Sequence, residues 1–177
     1  MKKIGLILVI FVSFFILTGC TNETEKEENK DPKAPAGLKE VTGKIVKAKL
    51  DNNGNIIINE DEITEEAAYI SYEYEGVNIG LIAVRDSEGK VIVVVNTCQS
   101  CGGSPYAYFV QVGNKIQCQN CGNLVAIDDL DNLVPDGCNP IGIEERTDKD
   151  GKITIGTEQL NGLKDKFENW KGPKVSK

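Results

Sequence analysis

The sequence predicts a mainly β fold: a small antiparallel sandwich or barrel with two C-x2-C metal loops and a C-terminal α-helix. Three observations carry that prediction. Ala68, Ile70, Tyr72 and Tyr74 alternate with Tyr69, Ser71 and Glu73, the period of a strand. Turn signals recur between apolar runs, at Asp51-Asn52-Asn53-Gly54, Glu75-Gly76 and Asp86-Ser87-Glu88-Gly89. Two cysteine pairs, Cys98/Cys101 and Cys118/Cys121, stand sixteen residues apart, a strong signature for a soft metal.

Before the domain comes a leader. Lys2 and Lys3 are followed by the apolar run Ile4 to Leu17, too short and wrongly flanked for a transmembrane helix. Leu17-Thr18-Gly19-Cys20 resembles the lipobox of bacterial lipoproteins. The resemblance implies a signal peptide over residues 1–19, cleaved before Cys20, and diacylglycerol on the Cys20 sulfur. An ordinary secretory leader with an incidental cysteine is the alternative. Two or more acyl chains would anchor the protein stably to the cell membrane on its extracytoplasmic face. Residues 20–37 then form a charged tether, rich in Glu and Lys with Pro32 and Pro35, and too poor in apolar residues to offset its ordering entropy. Residues 38–177 suit one domain. Loss of Lys2 and Lys3 leaves eighteen basic residues against twenty-seven acidic ones, a net charge of about −9. That balance argues against nucleic acid as a partner and against flat docking on anionic lipid.

Within the domain, Ile56 and Ile58 follow the first turn and begin a strand. Val77 to Val84 is mostly apolar and reads as a central strand, and Val91 to Val95 is a β-branched run that stops just before Cys98. Asp51-x-x-Gly54-x-Ile56-x-Ile58 recurs as Asp148-x-x-Gly151-x-Ile153-x-Ile155. Repeated hairpin chemistry accounts for the echo: Asp opens a type I turn and Gly ends it. The residues after Asp148 lack the oxygen ligands of a calcium loop. Thr157 can cap a C-terminal helix with Leu160, Leu163, Phe167 and Trp170 on one face, stopped by Gly172-Pro173.

With Cys20 assigned to lipid, the candidate metal residues are Cys98, Cys101, Cys118, Cys121 and Cys138. The chain has no histidine, which excludes Cys-His zinc fingers, HExxH proteases, Ser-His-Asp and Cys-His catalysis, and a two-histidine Rieske centre. Thiolate selects zinc, copper(I) or iron–sulfur. Three readings stay open. A zinc ribbon would use the two pairs, with Gly102 and Gly122 suiting the turns, and would leave Cys138 idle. An iron–sulfur cluster could use four of the five. Thiol–disulfide exchange suits an exported protein, but Gly102-Gly103-Ser104-Pro105 does not read as the helix that usually follows a redox C-x2-C.

The stretches Val95-Asn96-Thr97-Cys98-Gln99-Ser100-Cys101-Gly102, Gly113-x-x-Ile116-x-Cys118-x-Asn120-Cys121-Gly122 and Gly137-Cys138-Asn139-Pro140-Ile141, with Tyr108 between, resemble the FtrD-like family of membrane-associated iron–sulfur proteins. Tyr72, the Asp86–Gly89 turn, Ile153-x-Ile155 and Leu160 extend the similarity over most of the domain. The Gly-Cys-Asn-Pro element is its most specific part. The resemblance implies an iron–sulfur cluster or metal held by Cys98, Cys101, Cys118 and Cys121 with Cys138 involved. It also implies a role in iron uptake or electron transfer beside an iron permease or redox partner, as a non-enzymatic carrier. Members with transmembrane helices before this domain differ from this chain, whose lipobox makes it a tethered module. By analogy the fold is Rieske-like, with Cys101 and Cys121 where that pattern has histidines, and all-thiolate ligation then gives a low potential.

Tyr106, Tyr108 and Phe109 lie between the pairs, as a shield for the site or as ordinary packing. Asp128, Asp129, Asp131 and Asp136 form an acidic stretch, a recruiter of Fe²⁺ or of a basic partner, or a solvated loop. Amides around Gly137 and Asn139 are candidate donors to sulfur.

Overall fold

A computed structural model describes residues 37–41 and 45–174. The leader, Cys20 and the tether up to residue 36 lie outside the described residues. Among the described residues twelve strands run in chain order: β1 (Ile45–Lys47), β2 (Lys49–Leu50), β3 (Ile56–Asn59), β4 (Ala68–Tyr74), β5 (Val77–Arg85), β6 (Val91–Cys98), β7 (Phe109–Val112), β8 (Lys115–Cys118), β9 (Leu124–Ala126), β10 (Pro140–Gly142), β11 (Arg146–Lys149) and β12 (Lys152–Ile155). They form a five-stranded sheet β1-β4-β5-β6-β10, a four-stranded sheet β11-β12-β3-β2 and a three-stranded sheet β7-β8-β9. Pairing is antiparallel except where β1 runs parallel to β4.

The five-stranded sheet is the middle layer. Its strands alternate between two cores, which is why β5 and β6 read as nearly continuous apolar runs. Leu81, Ala83, Val91, Val93 and Val95 pack with Ile56, Ile58, Ile153 and Ile155 of the four-stranded sheet. Ile82, Val84, Ile92 and Val94 face the other way, onto Tyr108, Phe109, Val110 and Ile116 beside the three-stranded sheet. The same period carries Cys98 to the second face.

The sequence echo lands on one pair of neighbours. β3 and β12 are antiparallel partners, with Ile58 opposite Ile153 and Ile56 opposite Ile155, all buried. The first turn is as expected: the Gly54 amide donates to the Asp51 carbonyl, and Asp51 Oδ1 accepts from the Asn53 and Asn55 amides. The second is different. Asp148 lies inside β11 and pairs with Arg146, and the turn is the two-residue Asp150-Gly151, both at positive φ. An Asp-Gly pair favours that tight hairpin over a type I turn opened three residues earlier.

The C-terminal helix is shorter than predicted. α1 covers only Glu158–Gly162, and a 3-10 turn follows at Lys164–Lys166. Bonds from the Leu163 amide to the Leu160 carbonyl, and from Phe167 to Lys164, tighten the segment to three residues per turn. Leu160 and Phe167 still reach the core. Thr157 does not cap; its hydroxyl donates to the Gly54 carbonyl, and Asn161 is drawn to the Tyr72 hydroxyl. Burial of the apolar face, not capping, sets this segment.

A buried amide joins the middle layer to the site. Asn96 on β6 is 1% exposed; its Oδ1 accepts from the Phe109 amide at 2.7 Å and its Nδ2 donates to the Phe109 carbonyl at 3.3 Å. Asn96→Ala strands both backbone groups away from water. Denaturant unfolding should show a loss of about 3 kcal/mol.

Candidate metal centre

β6 and β8 each end on a cysteine, Cys98 and Cys118, 0% and 1% exposed. The β6 run thus extends three residues past Val95 and delivers Cys98 itself. Each strand turns back through its C-x2-C, leaving Cys101 half-buried and Cys121 exposed. The Ser100 and Cys101 amides donate to the Cys98 sulfur, and the Asn120 and Cys121 amides to that of Cys118. The two turns therefore share one pattern. In the second, Gly122 takes φ of 78°, and its amide donates to the Cys118 carbonyl. In the first, the left-handed residue is Gly103, at 93°, while a Cβ on Gly102 would crowd the Cys98 carbonyl oxygen at 3.2 Å and the Lys166 Nζ at 3.1 Å.

The turns are bound to each other. The Cys98 amide donates to the Ala107 carbonyl, the Gln119 amide to the Tyr108 carbonyl, and the Ser104 hydroxyl to Asn120 Oδ1 at 2.7 Å. As a result the sulfurs of Cys98, Cys101, Cys118 and Cys121 all lie within 4.8 Å of one another. Four soft donors converging on one point fit a thiophilic metal.

Cys138 is not one of the four. It is half-buried, and its segment closes the site from a third side. Asn123 donates to the Cys138 carbonyl, Ser100 to the Gly137 carbonyl and the Gln99 amide to the Asn139 carbonyl, while Gln99 Oε1 accepts from the Asp136 amide. Pro140 lies opposite Cys98 across a bulge between β10 and β6. The Gly-Cys-Asn-Pro element is thus a strap tied to both turns, and a Cβ on Gly137 would push the Asn139 side chain aside.

Tyr108 and Phe109 are buried in the core beside the site, and Tyr106 is half-buried against it. The acidic stretch is partly committed elsewhere: Asp128 accepts from the Ser87 amide and Asp131 pairs with Lys90, both bracing the Asp86 turn. Lys166, which sequence reasoning did not single out, lies over Gly102, and its carbonyl accepts from the Gly103 amide. Only the return of the C-terminal segment onto the turn, 64 residues later, brings it there. A groove of about 670 Å³ between the sheets, lined by Val46, Ile58, Ile63 and Ala67 among others, holds no cysteine.

Burial pushes the Cys98 thiol up to about 11, and it pushes Cys118 up as well, against the amide bonds that lower both. Both are therefore protonated near neutral pH when no cation is present. Metal must displace those protons, so affinity rises with pH. Calorimetric zinc titration of reduced protein near pH 7.5, in buffers of different ionisation enthalpy, should show at least two protons released per metal, from Cys98 and Cys118. Fewer would contradict the burial argument.

Comparison with known protein families agrees with this chemistry. A family model described as "Membrane iron-sulfur containing protein FtrD-like" matches residues 62–167, more than half of the chain. No curated protein matches. Among solved structures, the quaternary ammonium Rieske monooxygenase CntA, in complex with an inhibitor, is similar at 15% identity and a TM-score of 0.33. The match covers 51% of this chain and 27% of that one. Among the described residues, no helix is long and apolar enough to cross a membrane.

Proposed function

Because the chain belongs to the FtrD-like family of membrane iron–sulfur containing proteins, we propose that it carries single electrons at the extracytoplasmic face of the membrane, in the service of iron uptake. Cys98, Cys101, Cys118 and Cys121 would hold the iron, and Cys20 the lipid. The observation that carries the reading is the convergence of four sulfurs within 4.8 Å, two of them buried and Cys121 exposed. A site filled by four thiolates keeps no position open for a substrate, which suits electron transfer or structure and not hydrolytic catalysis. Iron in such a site supplies one-electron chemistry. The protein supplies amide donors to two sulfurs, burial, and an edge near solvent where a partner can approach, the levers that tune a potential.

Anaerobic purification with metal analysis and visible spectroscopy tests the proposal. Bound iron should bleach reversibly on one-electron reduction. Tightly bound zinc with no iron and no visible absorption would refute it. For the anchor, wild-type protein should incorporate labelled fatty acid and Cys20→Ala should not.

A zinc-stabilised binding module is the second reading. It is favoured by the way the site ties together the two turns and the Cys138 strap, as a structural zinc would. Thiol–disulfide exchange is disfavoured: a redox pair needs a depressed thiol, and burial pushes Cys98 and Cys118 the other way.

A further inference from the structure

We infer that the four thiols are built for one tetrahedrally ligated metal ion and not for a polynuclear iron–sulfur cluster. The inference rests on the metal-binding reading above and narrows it. Thiolates bound at about 2.3 Å to a single ion sit about 3.8 Å apart in a regular tetrahedron. In a four-iron cluster each thiolate ligates a different iron, so a metal–metal spacing is added to two outward bonds, and the sulfurs stand about 6 Å apart. A two-iron cluster separates its two pairs in the same way. Here every pair of sulfurs is within 4.8 Å, including those contributed by different turns. The ceiling suits one ion and leaves no room for a second metal between the pairs.

The backbone defends that spacing. Each turn presents its first sulfur to two amides of the same turn, at i+2 and i+3. The turns are then fastened by the Ser104–Asn120 bond and by the amides of Cys98 and Gln119. Spreading the pairs for a cluster would strain those links. Cys98 and Cys118 have no solvent margin in which to retreat, at 0% and 1% exposure. Cys138 stays outside the convergent four, so the site needs no fifth ligand. An iron held there would gain and lose one electron with no bond made or broken and no sulfide required.

The test uses the full chain, purified anaerobically in detergent, and the metal-free protein reconstituted with ferrous ion and sulfide. The expected result is one metal per chain with no acid-labile sulfide, and for oxidised iron a high-spin ferric resonance. One zinc per chain would uphold the single-ion inference while refuting the redox proposal. Two or four irons per chain with matching acid-labile sulfide would overturn the inference and leave metal binding intact. A chain that takes up no metal in either preparation would overturn both.

Discussion

Cys118→Ser should lose tightly bound metal, with affinity reduced more than about 100-fold, whereas Cys138→Ser should stay within a few-fold of the parent. The contrast follows from position. The Cys118 sulfur is one of four within 4.8 Å and is buried at the end of β8, between the Asn120 and Cys121 amides. A serine hydroxyl there is a poor ligand for a soft ion and stays buried among apolar groups. Cys138 lies outside those four; its side chain packs against the neighbouring core, and Asn123 holds its carbonyl whatever the side chain. Competition with a chromophoric chelator measures both. Equal metal loss in the two variants would make Cys138 a ligand and contradict the four-sulfur site.

Gly80→Ala should destabilise the domain by about 2–3 kcal/mol, through overpacking in the middle layer. A Cβ on Gly80 would lie 2.7 Å from Trp170 Cζ2 and closer still to Cη2. The indole cannot retreat cheaply. Its ring meets Tyr108 edge-on at 6.2 Å and Phe167 at 5.2 Å. Tyr108 in turn precedes Phe109, the residue clamped by Asn96, so displacement of the indole presses on the wall of the metal site. Trp170 is the chain's one tryptophan, so its emission reports the shift directly. An unchanged spectrum with a stability loss below about 0.5 kcal/mol would show that the ring moves freely.

Local signals in the sequence were reliable where local chemistry decides. The alternation at 68–74, the runs leading into β5 and β6, and the Asp51 and Asp86 turns all appear as read. The two C-x2-C turns also form, because that spacing and its amide donors impose the turn itself, but their convergence depends on the Ser104–Asn120 bond and the Gln119 amide. What could not be read was set by distant segments. Thr157 could have capped a helix, but the Gly54 carbonyl, 103 residues away, captured its hydroxyl. The strand echo suggested two similar hairpins; their partnership as β3 and β12 is a matter of topology. The acidic stretch looked free in sequence, yet Lys90 and the Ser87 amide claim two of its carboxylates. Lys166 reaches Gly102 only because the C-terminal segment folds back. The Gly-Cys-Asn-Pro element was visible as a motif, but its role as a strap over both turns depends on Gln99, Ser100 and Asn123.

X-ray absorption at the edge of the bound metal distinguishes a single four-thiolate ion from a cluster. Four sulfur neighbours at about 2.3 Å and no metal–metal scattering are expected. A metal–metal path, or fewer than four sulfurs around the ion, would contradict the single-ion site.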